Sequence, residues 1–284
     1  MTGLQKFIKY AAIAFGIYLS IIIVFMLLEL ARGFVGFSKV EDKSLIEHKN
    51  GYTVEDISKE YNNVKKLEID LESTKLVIKN GDKLKVEGTN IPEKMEIQQD
   101  GETLKIDDEK TSHNSSGDKI ITIYLPENEK LDTINIETKY ESIDAEKLNA
   151  TNLKLDTSSN DCKIDELVSD NLEIDNEYAN IDIYNCEAKV FKFDSESGAE
   201  NINIKVVESA NIEIKYSDTN INFIGKQDDY QINNKNNFGT TYIEGEEMTA
   251  DNQTIGSGNA KIDLNIKSSD IYINFDETAN EIYL

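Results

Sequence analysis

Residues 152–170 read NLKLDTSSNDCKIDELVSD, and residues 171–189, directly behind them, read NLEIDNEYANIDIYNCEAK. Both phrases open with Asn-Leu, and their apolar residues recur at an interval of nineteen. Ile134, Leu153, Leu172 and Phe191 form one column, and Ile136, Leu155, Ile174 and Phe193 form a second, two residues further on. Another apolar pair stands nine and eleven residues into each unit: Ile143 and Ala145, Cys162 and Ile164, Ile181 and Ile183. Leu148, Leu167 and Cys186 mark a third column at offset fourteen. A fixed period of this length identifies a stacked-repeat architecture, because one such unit cannot bury its apolar face alone and its neighbours must roof it.

Outward from this centre, the spacing zero, two, nine, eleven returns at Leu67, Ile69, Leu76 and Ile78, and at Met95, Ile97, Leu104 and Ile106. It returns again at Ile212, Ile214, Ile221 and Phe223, and at Ile262, Leu264, Ile271 and Ile273. The Phe191 unit makes an eighth if Ile202 and Ile204 are counted as arriving two residues late, with the surplus assigned to SESGAE (195–200). Alternation of apolar and polar residues over short runs is the period of a half-buried strand. Clusters such as TSSND, DNEYAN and KYSDTN supply the turns between runs, and only two prolines interrupt the chain. The expected fold is an all-β ectodomain, a β-solenoid stack of nineteen-residue rungs. About eight rungs at ~4.8 Å each would make a rod on the order of 40 Å long. The alternative is an antiparallel β-meander or sandwich, because offsets zero with eleven and two with nine also face one another across a hairpin, above all in residues 64–126.

In the stack, Cys162 falls in the offset-nine column and Cys186 in the offset-fourteen column, at different corners of adjacent rungs. A disulfide needs Cα atoms within about 7 Å, so buried free thiols are expected ahead of a bridge.

Residues 10–28, YAAIAFGIYLSIIIVFMLL, hold no acidic or basic side chain, and a helix of this length crosses one bilayer core. Lys6 and Lys9 precede the run, while beyond residue 39 acids outnumber lysines roughly two to one, so the bulk of the chain is expected outside the cytoplasm. The organisation anticipated is a cytoplasmic tail (1–6), an uncleaved transmembrane signal-anchor helix (7–30), a stalk (31–63) in which EDISKEYNNVKK adds a helical turn, and a β-repeat ectodomain (64–284). The net charge of −24 repels nucleic acid and anionic membrane surfaces. Arg32 is the one arginine, so guanidinium clamps on phosphate or carboxylate are nearly unavailable.

KKLEIDLESTKLVIKNGDKLKVEG (65–88), KIITIYLPENEKLDTINIET (119–138), the nineteen-residue rungs and GSGNAKIDLNIKSSDIYINF (256–275) together resemble a bacterial β-strand-repeat family of Gram-positive cell-envelope proteins labelled "putative adhesin", a domain of unknown function. The resemblance covers residues 64–284 and implies an interaction protein with no catalytic residues to carry over. Fewer Ser-Gly-Asp turns than the family carries are found here, Ser197-Gly198 being the nearest.

Reactive constellations are scarce. His48 and His113 are the two histidines and neither has a partner at ligand spacing, so both are expected as solvated loop residues. Phosphate loops, nucleophile elbows and zinc-protease motifs are absent. Asp156, Asp175 and Asp194 stand nineteen apart and would form a carboxylate ladder, either solvated surface or a Ca²⁺ site, with ordinary surface favoured. No catalytic, cofactor or metal site is therefore assigned, and the protein is expected not to be an enzyme. The function expected is a membrane-anchored extracytoplasmic interaction protein whose candidate partners are cell-wall polymers, cationic peptides or membrane proteins. Two alternatives stand beside it: a regulator of envelope-stress signalling acting through a membrane partner, and a carbohydrate-active β-helix enzyme. For the last, zero tryptophans count against sugar binding, although Tyr178, Tyr184, Tyr216 and Tyr230 in the rungs could substitute.

Overall fold

A computed structural model describes residues 54–92, 94–108, 118–248 and 252–276. The expected tail, span and stalk up to Thr53, together with His48 and His113, lie outside these residues. Among the described residues no helix is long and apolar enough to cross a membrane.

The strands, in chain order, begin with β1 (Val54–Glu60), β2 (Lys66–Leu71), β3 (Lys75–Gly81), β4 (Lys85–Pro92), β5 (Glu96–Asp100), β6 (Thr103–Asp107) and β7 (Ile120–Pro126). The long central strands follow: β8 (Leu131–Thr138), β9 (Ile143–Thr157), β10 (Asp161–Asn176), β11 (Asn180–Ser195), β12 (Ala199–Lys215) and β13 (Asp218–Ile224). After a 3₁₀ turn (Gln227–Asp229) come β14 (Tyr230–Asn237), β15 (Thr240–Ile243), β16 (Glu246–Glu247), β17 (Asn252–Ile255), β18 (Ala260–Lys267) and β19 (Asp270–Asp276). β1 begins inside the segment assigned to the stalk and pairs antiparallel with β4, so EDISKE is strand and not a helical turn.

The nineteen-residue register governs the pairing. Ile134, Leu153, Leu172 and Phe191 lie directly opposite one another in parallel strands β8 to β11, and Ile143, Cys162 and Ile181 do the same on the second side of the rung. All of these are buried. The fold is all-β, with the parallel pairing of a solenoid in the stacked rungs; in residues 64–126, where the meander alternative was strongest, β4 pairs antiparallel with β7 and β5 with β6, beside the parallel pairs of β2 with β6 and β3 with β7. Phe191 and Phe193, their rings stacked at 5.9 Å, fill the core between Leu172 and Ile174 on one side and the smaller Ala210 with Ile212 on the other.

Two further expectations need correction. The Met95 unit is not a rung: Ile97 faces Ile106 across an antiparallel hairpin of β5 and β6, two residues out of the register foreseen for a hairpin. The Phe191 unit does not lengthen. Ala210 and Ile212 face Phe191 and Phe193, nineteen residues on, so Ile212 sits in the second column where the first was expected. The slack is local: β11 carries one extra residue between Ile183 and Cys186, and β12 restores the count between Val206 and Ser209.

The order of the rungs also departs from the order of the chain. The rung containing β2 and β3 is not the end of the stack, because β6 and β7 pair beyond it. At the other end β18 and β19 fit between β12–β13 and β14–β15. Both termini of the stack are then closed by antiparallel strands, β1, β4 and β5 at one end, β16 and β17 at the other. Such caps replace a repeating parallel edge that could template further pairing.

These columns make a direct test. Leu172 is buried between Leu153 and Phe191, whereas Glu173 is partly exposed on the opposite face of the strand. Leu172→Asp is expected to cost about 3 kcal/mol or more, lowering the melting temperature by roughly 6–12 °C, and Glu173→Gln to stay within about 0.5–1 kcal/mol. Thermal denaturation of the two variants checks it, and equal shifts would contradict the inside–outside assignment.

Candidate interaction surface

Because the rungs are in register, each outward position becomes a column of like side chains. Asp156, Asp175 and Asp194 are brought together in neighbouring strands as the period required. The column is longer than foreseen, since Asp107, Asp70 and Glu137 continue it on one side and Glu213 on the other. Lysines from the adjacent column lie among the acids. Lys154 Nζ is 3.1 Å from Asp175 and 4.0 Å from Asp156, Lys192 Nζ is 2.9 Å from Glu173 and 3.4 Å from Asp175, and Lys267 Nζ is 2.6 Å from Glu213.

The electrostatics follow this spacing. At Asp156, partial burial and then repulsion from Glu137 raise the carboxyl pKa. At Asp175, burial pushes the same way, but the ammonium groups of Lys154 and Lys192 outweigh it and the pKa is lowered. Hydrogen bonding from Lys267 lowers that of Glu213. Ammonium groups occupy the gaps a bound cation would need, and among the described residues no group of three or more His, Cys, Asp or Glu converges on a metal-binding point. The ladder is a charge-compensated surface.

On the second face amides take over. Asn180 donates to Asp161 at 2.9 Å, Asn201 to Asp182 at 2.8 Å and Asn220 to Asn201 at 3.2 Å, each bond joining one rung to the next. The column of Asp182, Asn201 and Asn220 ends in the stacked rings of Tyr272 and Tyr242, 4.8 Å apart and 6° from parallel. Of the rung tyrosines, Tyr178, Tyr184 and Tyr216 are exposed, whereas Tyr230 is buried and its hydroxyl donates to the Ile224 carbonyl at 2.7 Å.

Polar residues also line the inside of the corner between the two faces. Thr138, Thr157, Asn176 and Ser195 succeed one another there, all buried. At its centre lies Glu200, fully buried in the column that holds Cys162 and Ile181 in earlier rungs. Its carboxylate accepts from Thr219 Oγ1 at 2.6 Å and from Ser195 Oγ and Asn176 Nδ2, each at 2.7 Å. Gly198 permits the approach, since a Cβ there would lie 2.3 Å from the Ala179 carbonyl oxygen and 2.7 Å from Glu200 itself. Burial raises the Glu200 pKa, and the hydrogen bonds from Thr219, Ser195 and Asn176 partly oppose it. Strict nineteen-residue counting from Ile181 lands on Glu200. Treating it as loop surplus concealed the one core carboxylate of the central rungs. Cys162 and Cys186 are free and buried, and desolvation pushes the Cys162 thiol up to about 12 and Cys186 upward as well.

The family model described as Toastrack DUF4097 matches residues 64–264. Among solved structures, a "putative cell adhesion protein" from Clostridium sporogenes is 13% identical, covering 78% of this chain and 100% of its own, with a TM-score of 0.33. A "putative adhesin" from Bacteroides fragilis is likewise 13% identical, over 78% of this chain and 98% of its own, with a TM-score of 0.36. Among curated proteins none matches.

Two measurements bear on these buried groups. The folded-state pKa of Glu200 is raised above the ordinary 4.5, so the folded protein holds that proton more tightly than the unfolded chain. Its contribution favours folding at low pH and is lost as pH climbs through the raised value. Glu200→Gln should therefore gain melting temperature relative to the parent between about pH 4 and pH 8, and a constant difference across that range would refute the assignment. A thiol reagent at about pH 8 should label neither Cys162 nor Cys186 until denaturant opens the rungs. Labelling of the native protein would place a thiol at the surface.

Proposed function

The chain belongs to the Toastrack DUF4097 family, and from that membership we propose that it is a membrane-anchored, extracytoplasmic interaction protein of the bacterial cell envelope, without enzymatic activity. The observation that carries the proposal is the register itself. Each outward position recurs once per rung, at ~4.8 Å, which suits recognition of an extended polymer better than recognition of a small solute. The apolar run at residues 10–28 supplies the anchor and its basic flank the orientation.

Wall polymers are the partners assigned. A net charge of −24 also attracts polycations, but that attraction is collective and fades once the screening length falls from ~10 Å at 0.1 M salt to ~3 Å at 1 M. Full-length protein should be digested by protease added to intact spheroplasts, and in detergent it should sediment with purified cell walls at both salt concentrations. A protease-protected domain would overturn the orientation, and loss of sedimentation at high salt would reduce the binding to charge.

A further inference from the structure

Every described corner between the first and second faces is built to one length, five residues from the last inward position of one side to the first of the next: Thr138 to Ile143, Asn176 to Ile181, Ile214 to Thr219, Asn236 to Thr241. The second residue past the start of each corner is its outermost point. In alternate rungs that point is aromatic: Tyr140, Tyr178, Tyr216 and Phe238, exposed by 62%, 56%, 69% and 98%. In the rungs between them it is Ser159, Ser197 or Ser268. Along the chain Phe238 precedes Ser268, so Tyr216 and Phe238 are consecutive there. Only the insertion of β18 and β19 between β12–β13 and β14–β15 restores the alternation in space.

The backbone of this ridge is expensive to maintain. Tyr216 and Phe238 have φ of 57° and 62°, as the serine tips Ser159 and Ser268 do at 56° and 53°, so the left-handed turn belongs to the corner and is kept even where a bulky ring must adopt it. Asn236 bonds both the N–H and the carbonyl of Gly239, at 3.1 and 2.6 Å, and Asn176 does the same for Ala179 at 2.8 and 3.0 Å. These two asparagines hold Phe238 and Tyr178 at the tips of matching loops. Four large aromatic rings exposed in one row, where burial cannot repay them, point to a function outside the fold.

We propose that this ridge is a docking surface for a neutral, linear polysaccharide of equatorially linked pyranoses, an inference that rests on the envelope-interaction reading above and specifies its ligand. The rings recur every second rung, at about 9.6 Å, over a row of about 29 Å. In such a polysaccharide the rise per sugar is close to one strand spacing and successive rings are turned over, so every second sugar offers the same apolar face at the interval of two rungs. An aromatic ring would lie under each of those faces, and a serine hydroxyl would meet the sugar between. Charge selects the polymer further. Lys139, Lys215 and Lys267 beside the tips are ion-paired with Glu72 and Glu213, whereas Glu141, Glu177 and Glu196 are exposed next to the tips, disfavour polyanions and can accept from neutral hydroxyl and acetamido groups. A polyproline helix has a turn of about 9.3 Å, close to the same interval, but it docks in aromatic-lined grooves, and these rings form a row along an exposed ridge.

The test uses the full chain in detergent with chitin and cellulose as insoluble probes, and their soluble oligosaccharides of increasing length. Affinity should rise with oligosaccharide length until the row is spanned. Each of Tyr140→Ser, Tyr178→Ser, Tyr216→Ser and Phe238→Ser should weaken the longest oligosaccharide by roughly twofold to tenfold, and the quadruple variant should abolish pelleting with the polysaccharides. Serine is the chain's own residue at the intervening tips, so the quadruple variant should melt as the parent does. Tyr184→Ser, on the second face, should leave binding intact. Failure of the parent to bind either polysaccharide, unchanged binding by the quadruple variant, or competition by poly-L-proline without any glycan binding would each overturn the proposal. If the quadruple variant still sediments with purified walls, the envelope reading survives and the ridge does not. If the parent sediments with neither walls nor glycans, both fail.

Discussion

A rung of nineteen residues has no interior until another rung lies against it. Leu172 is buried because Leu153 and Phe191 are in register above and below, and the same is true of each apolar position along both faces. Lateral register is therefore the constraint on which everything else depends. A slip of one residue would turn every inward side chain outward, and the bulges between Ile183 and Cys186 and between Ala188 and Val190 show how the chain preserves register when its local count changes. The surface inherits the same order. Acids, lysines and asparagines meet their counterparts one rung away, which turns isolated exposed charges into ladders.

The central rungs could be read from the chain because their periodicity is strict and each apolar column is long. The turns TSSND, DNEYAN and KYSDTN fall at the corners, and the two cysteines lie in separate buried columns, as their offsets required. The ends could not be read in the same way. Met95 and Ile97 share the spacing of a rung, yet that spacing fits a hairpin equally well, and nothing local distinguishes pairing with β6 from pairing with a neighbouring layer. Nor does a sequence state which rung neighbours which. The aromatic and serine tips look irregular along the chain because Phe238 and Ser268 are reversed relative to their positions in the stack.

Glu200 shows what a strict period can hide. A carboxylate in an apolar column looks like an interruption, and a loop insertion is the easier explanation from sequence. In the fold it is held by Thr219, Ser195 and Asn176 at the same corner where Thr138 and Thr157 already place hydroxyls indoors. Replacing a large apolar side chain by a satisfied polar network costs desolvation, but it ties three rungs to one geometry, since a shifted register would leave the carboxylate unpaired.

The placement of β18 and β19 inside the stack sets a timetable. A ribosome delivers β14 and β15 before the strands that separate them from β12 and β13 exist. Until residues 260–276 have been synthesised, β14 and β15 have only the small caps β17 and β16 to pair with, and the growing rod ends at β12 and β13. The final layer is thus closed by the last strands to appear, like a keystone set after the arch. Assembly of that end belongs to the completed chain, whereas the layers from β8 to β12 can accrete in the order of their synthesis.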